Sequence, residues 1–179
     1  MINAITNVFD RSLLATHRAR FAAQLAEHDF LLHRAAEDIA VRLQAVMRDF
    51  PVALNLGAHH GVLSDLLRSY DRVGSVISAD PCLPMLTKSS GLRVVCEDDF
   101  LPLRRASLDL VVSGLSLQLV NDVPGALVQI RHALKPDGLF LCAALGGRTL
   151  YELRTALAMA EEEIYGGVSP RDQRFADVT

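Results

Sequence analysis

No run of about 18 apolar residues occurs in this chain, which argues against a membrane-spanning helix. Its first residues, Met1-Ile2-Asn3-Ala4-Ile5-Thr6-Asn7, lack the basic start and apolar centre of a secretory signal, and they lack the Arg- and Ser-rich character of a mitochondrial leader. Basic charge is not in excess. Eighteen Lys and Arg against 21 Asp and Glu leave a net charge of −3, so no bulk pull toward nucleic acid or membrane surfaces is expected. Cysteine is sparse: Cys82, Cys96 and Cys142 are widely spaced with no CxxC, which reads as reduced, buried thiols. There is no G-x-S-x-G elbow, no H-E-x-x-H and no Walker A loop. His59 and His60 are adjacent but have no third spaced ligand, so no metal site is expected. Internal repeats, low-complexity tracts and long linkers are also missing.

What is present is apolar and ordered. Half of the 179 residues are apolar and 22% are charged, enough for a substantial core and too hydrophobic for disorder. Residues 13–50 show helical periodicity. Leu31, Ala35, Ile39, Leu43, Val46 and Phe50 recur on one face, with Arg34, Glu37, Asp38, Arg42 and Arg48 on the other. Pro51 is expected to end that helix, giving a helical arm over 1–50 and a core over 51–179.

From there strands and helices alternate. Strands are expected at 52–56, 73–79, 92–96, 108–113 and 139–145, the last fed by a Lys135-Pro136-Asp137-Gly138 turn. Helices are expected at 62–70, 84–88 and 124–134, with Asp122 capping the third. A final helix is expected to begin at Thr149, boxed by Glu152, with Leu150, Leu153, Leu157, Ala160 and Ile164 as its apolar stripe. Near-continuous apolar strands alternating with helices imply a parallel α/β sheet covered on both faces. Asp109 reads as structural within the fourth strand.

Ligands of such sheets bind beyond the carboxyl ends of the strands. Four segments would converge there: 57–61, Asp80 with Pro81, 97–100 and 113–115. The run Val52-Ala53-Leu54-Asn55-Leu56-Gly57-Ala58-His59-His60-Gly61 is a buried strand breaking into a glycine-bounded loop that opens a helix. Asp80 follows about 20 residues on, the arrangement of a nucleoside or dinucleotide site. The loop brings backbone N–H groups to the ligand and the acid accepts from ribose hydroxyls. His59 replaces the glycine that would let the backbone touch a pyrophosphate, and Glu97-Asp98-Asp99 would repel phosphates. Both favour S-adenosylmethionine over a nicotinamide dinucleotide.

Several motifs carry a family resemblance: Phe100-Leu101-Pro102-Leu103, Leu108-Asp109-Leu110-Val111-Val112-Ser113-Gly114-Leu115-Ser116-Leu117, Val120-Asn121-Asp122-Val123-Pro124 and Gly146-Gly147-Arg148-Thr149-Leu150-Tyr151-Glu152-Leu153-Arg154. On these the chain resembles the class I S-adenosylmethionine-dependent methyltransferases, and among them the group around mitochondrial complex I assembly factor 5. The resemblance runs from Asn7 to Pro170. It implies a Rossmann-like three-layer sandwich with an N-terminal helical arm, lacking the C-terminal strands of its relatives. It places the cofactor's methionine part on Gly57, Ala58, His59, Gly61 and Ser113, the ribose on Asp80 and the adenine beside Glu97. Asn55, Pro81, Asp98, Asp99, Phe100, Gly114 and Leu115 complete the expected cofactor-binding set. Asn55 stands where the family carries an acid, and Gln118 where relatives often carry His.

The expectation is therefore an S-adenosylmethionine-dependent methyltransferase that releases S-adenosylhomocysteine. Its acceptor is a protein or an acyl-carrier substrate, and no catalytic side chain is assigned, because the sulfonium is already an activated leaving group. The alternative is a non-catalytic or hydroxylase-type assembly factor for respiratory complex I that keeps the fold. The expected location is the cytoplasm of a bacterium or the mitochondrial matrix of a eukaryote.

Overall fold

A computed structural model of the protein describes residues 7–169. The chain divides into two compact units, 1–144 and 145–179, so residues 1–50 lie within the first unit. In that unit α1 (Arg11–Phe21) and α2 (Phe30–Gln44) precede β1 (Phe50–Leu56), α3 (Val62–Arg68) and β2 (Val73–Ala79). Then come α4 (Leu83–Leu86), β3 (Leu92–Val94), β4 (Leu108–Gly114), α5 (Val123–Ala133) and β5 (Leu134–Ala143).

The five strands form one parallel sheet in the order β3-β2-β1-β4-β5. Its interior strand β4 is buried throughout, with Leu110, Val111 and Val112 fully inaccessible, as a sheet covered on both faces requires. On one face Ile39 and Leu43 of α2 and Leu63 and Leu67 of α3 pack over Ala53, Val76, Leu110 and Val112. On the other, Ala126, Ile130 and Ala133 of α5 cover Leu54, Leu56 and Val111. The expected α/β three-layer sandwich is the architecture found, and alternate residues of each strand feed alternate cores.

Four elements differ from their sequence expectation. The helix over 13–50 is two helices joined by a short turn at Leu25–Glu27. The two have different partners: Ala19, Ala22 and Leu25 pack on Cys82 and Met85, whereas α2 packs on the sheet. Periodicity within a helix carries no information about that change of direction. The second helix ends at Gln44, and Pro51 lies inside β1. It is tolerated because pairing with β4 begins only at Ala53, so its missing N–H falls outside that ladder.

The Lys135-Pro136-Asp137-Gly138 segment is a bulge within β5 rather than a turn before it. Leu108 pairs with Leu134 and Leu110 with Leu139, and Asp137 takes φ +64° to absorb the extra residues. The Lys135 ammonium lies 3.0 Å from both Asp109 carboxylate oxygens, and Asp109 also accepts from the Val52 amide at 3.0 Å. Asp109 thus pins the start of β4 to both of its neighbours.

The second unit contains α6 (Tyr151–Tyr165). Thr149 does not cap it. Its amide closes a turn on Gly146, and Leu150 at φ +55° precedes the first helical residue instead. Leu150, Leu153, Leu157 and Ile164 of the expected stripe are exposed. The carboxylate of Glu161 accepts from the Ser169 amide and hydroxyl at 2.8 and 3.0 Å. No helix among the described residues is long and apolar enough to cross a membrane.

Candidate functional site

The connections run outward from β1 through β2 to β3 on one side and through β4 to β5 on the other, so the order reverses between β1 and β4. A crevice must open at the carboxyl ends of those two strands. The loop after β1 and the residues after β2, β3 and β4 all lie along this edge.

The loop after β1 is shaped by three left-handed residues, Gly57 at φ +68°, His59 at +51° and Gly61 at +103°. Histidine tolerates this region better than most residues with a Cβ. The Ala58 amide donates to the Ala79 carbonyl at 2.9 Å, tying the loop to the end of β2. His60 donates from Nε2 to Asp29 at 2.8 Å, tying it to the start of α2. The Asn55 side chain donates to Ser64 Oγ at 2.9 Å, and the hydroxyls continue through Ser78 to Ser89 at 2.7 and 2.9 Å. Asn55 Oδ1 and Ser113 Oγ are buried without a hydrogen-bond partner.

Asp80 is fully buried and is the hub of the edge. Its Oδ2 accepts from the His59 amide at 2.8 Å and from the Arg18 guanidinium at 2.8 Å, and its Oδ1 accepts from the Cys82 amide at 2.7 Å. The same Arg18 nitrogen lies 2.9 Å from His59 Nδ1, and His59 Nε2 lies 3.1 Å from the Gly114 carbonyl. A guanidinium has no acceptor, so Nδ1 accepts and Nε2 carries the proton that goes to Gly114. His59 therefore bridges the crevice from the β1 loop to the end of β4. The cavity left between Asn55, Gly57, His59 and Gly114 is about 10 Å³, room for roughly one water.

The acids after β3 divide their work. Glu97 is exposed and pairs with Arg11 at 2.9 Å, whereas Asp98 is buried and accepts from Ser116 Oγ at 2.8 Å and Arg11 at 3.2 Å. Asp98 Oδ1 is a third buried atom without a partner. Burial pushes the Asp98 carboxyl up, against the Ser116 hydroxyl and the Arg11 charge that hold it down. Asp99 contributes its backbone carbonyl to Gln129 of α5 at 2.6 Å, while Phe100 points to solvent. Pro81 is half-buried at the turn into α4. Leu115, at φ +54°, donates its amide to Ala143 at 2.7 Å and so closes the β4 loop on β5. Burial also pushes the Cys96 thiol up to about 11, so it stays protonated at neutral pH. Among the described residues no cluster of His, Cys, Asp or Glu could hold a metal ion.

The enclosed imidazole of His59 makes stability pH-dependent. Burial first, then the Arg18 charge, pushes it down to about 4, while Asp80 and the Gly114 carbonyl oppose the shift. An unfolded histidine titrates near about 6.5. Between these values the unfolded chain binds more protons, so this contribution to stability is present above the unfolded pKa and is lost as pH falls toward the folded one. The melting temperature should drop from about pH 7 to about pH 4.5, and His59→Gln should flatten that part of the profile. An unchanged slope in the variant would assign the dependence to other groups.

Arg18 and Gln129 carry no motif, and Ser116, though inside the 108–117 motif, is given no role by it, so pattern reading passes over all three. The one available signal is the seven-residue spacing of Arg11 and Arg18, about two helical turns, which puts both on one face of α1. Asp10, whose carboxylate accepts from the Leu13 amide at 2.9 Å, caps that helix and aims it along the edge.

The methyltransferase domain family matches residues 54–142. The chain is 41% identical over 180 residues to the human mitochondrial arginine-hydroxylase NDUFAF5, covering 96% of this chain and 52% of that protein. It is 32% identical over 163 residues to the malonyl-[acyl-carrier protein] O-methyltransferase of Xylella fastidiosa, covering 83% and 55%. The chain thus spans about half the length of the curated relatives it matches. Among solved structures, a SAM-dependent methyltransferase from Thermotoga maritima superposes with a TM-score of 0.62 at 19% identity, covering 90% of this chain and 74% of the other. At that identity the likeness speaks to the fold.

Proposed function

Because this chain belongs to the class I S-adenosylmethionine-dependent methyltransferase family, we propose that it binds S-adenosylmethionine along the carboxyl edge of β1, β2 and β4. A protein or acyl-carrier acceptor would take the methyl group. The observation that carries this reading is Asp80. A buried carboxylate at the end of β2, joined to the amide of the loop after β1, is the group a ribose needs.

The other residues fit the same ligand in kind. Asn55 Oδ1 and Ser113 Oγ are buried polar atoms in want of partners, suited to an amino-acid portion. Glu97 stands at the end of β3, where it could accept from an adenine amino group. The cofactor's sulfonium supplies an activated methyl, so the chain's task is to hold the nucleoside and align the acceptor. A general base is needed only for a protonated acceptor.

Titration with S-adenosylhomocysteine in a calorimeter should give binding in the micromolar range, about −8 kcal/mol, with a matching rise in melting temperature. No heat and no thermal shift at saturating ligand would overturn the cofactor reading.

A second reading is favoured by His59, which bridges the crevice between β1 and β4. The chain would then be a non-catalytic or hydroxylase-type assembly factor for respiratory complex I that keeps the fold, and the hydroxylase form of that reading is in line with the name of its human relative, an arginine-hydroxylase. The two readings part on transfer of a labelled methyl group from S-adenosylmethionine to proteins of a cell extract. Label on an acceptor supports the first. Saturable binding with no label supports the second.

A further inference from the structure

A carboxylate offers about four acceptor positions. Three of those on Asp80 are taken, and both on Oδ2 are filled, one by the His59 amide and one by Arg18. The vicinal hydroxyls of a ribose need one acceptor position on each carboxylate oxygen. The backbone amides of His59 and Cys82 are fixed by the loops, so Arg18 is the donor able to leave. We propose that Arg18 is an internal competitor of the nucleoside ligand at Asp80, and that α1 is a latch which must release for the ligand to seat. This inference rests on the cofactor reading above.

The way α1 is held agrees with a latch. It has no buried residue, and Leu13 and Phe21 are exposed, so little apolar burial opposes its release. Polar groups fasten it instead. Arg18, with its side chain only 12% exposed, sits on Asp80. Arg11 sits on Glu97 and Asp98 and also donates to the Leu119 carbonyl at 3.0 Å. Ahead of the helix, the Asn121 side chain clamps both the amide and the carbonyl of Phe9, at 2.9 and 3.1 Å. At its last turn, Ala19, and just beyond it Ala22, rest against Cys82 and Met85. The helix therefore places one arginine on the acid expected to hold ribose and another on the acid beside the adenine position. Opening at the Arg18 end leaves the Phe9–Asn121 clamp as a hinge.

The test uses the full chain and S-adenosylhomocysteine. Arg18→Ala and Arg18→Gln should each bind the ligand about tenfold more tightly or better, because the competitor is gone, while exposed Arg20→Ala on the same helix should match the wild type. Hydrogen exchange on the wild-type chain gives a second readout that needs no variant. Saturating ligand should speed exchange across 11–21 while slowing it across the loop after β1. Equal binding by both Arg18 variants, or slower exchange of α1 with ligand, would overturn the latch, and weaker binding would overturn it and make Arg18 a ligand contact, each leaving the cofactor reading intact. Absence of binding to wild type and variants alike would overturn both.

Discussion

Asp80→Ala should lower the unfolding free energy by about 2–6 kcal/mol and abolish S-adenosylhomocysteine binding in the same variant. The stability loss follows from what the carboxylate leaves behind. Arg18 would lose its carboxylate partner and, on a helix with no buried residue, could turn to solvent, so its charge adds little to the loss. The amides of His59 and Cys82 would lose their acceptor as well, and each buried, unpaired donor adds about 1–3 kcal/mol. Urea unfolding at constant m-value measures the first effect and calorimetry the second. Asp80→Asn separates shape from charge: it keeps an acceptor for one amide, so it should lose less stability and still fail to hold a ribose pair. A loss under about 1 kcal/mol in Asp80→Ala would mean that the edge is not organised around this residue.

Asp80 also shows how far pattern reading reaches. Its position followed from the chain alone, because a strand, a glycine loop, a helix and a second strand place their ends at one edge by topology. The strand β2 was legible residue for residue at 73–79, where Val73, Val76, Ile77 and Ala79 are spaced by the small residues Gly74, Ser75 and Ser78 and the run ends at Asp80-Pro81. What could not be read is which donors the acid meets. Arg18 arrives from 62 residues away, on a helix whose direction depends on the break near Leu25. That break depends in turn on packing against α4. His59 was legible as a departure from glycine, but its role as a bridge to Gly114 required the register of β1 beside β4. The bulge at Asp137 was missed for a related reason. A Pro-Asp-Gly sequence signals a change of direction equally well whether it ends a strand or interrupts one, and only the pairing with β4 decides. Periodicity therefore located the layers and the edge, whereas long-range polar pairs decided the state of the site.

Gly57→Ala should destabilise the protein by roughly 2–5 kcal/mol, and the reason differs from the one the loop pattern suggests. A glycine there reads as room for a ligand. In the structure a Cβ at this position would meet the Cβ of Ser116 at 2.1 Å and its hydroxyl at 2.2 Å, so the glycine is first of all room for the chain itself. Two costs add. The φ of +68° disfavours any L side chain by about 1–2 kcal/mol. Overpacking against a buried serine that cannot swing aside costs a further ~1–3 kcal/mol. Moving Ser116 would also break its 2.8 Å bond to Asp98, whose other oxygen already lacks a partner. The double variant Gly57→Ala with Ser116→Gly tells the two costs apart, because it removes the clash and leaves the backbone strain. It should recover more than half of the loss, a coupling well outside the scatter expected of independent sites. Recovery of none of it would show that the left-handed backbone alone demands glycine. Full recovery would show that only the close approach of the β1 and β4 loops, the two walls of the crevice, had fixed the residue.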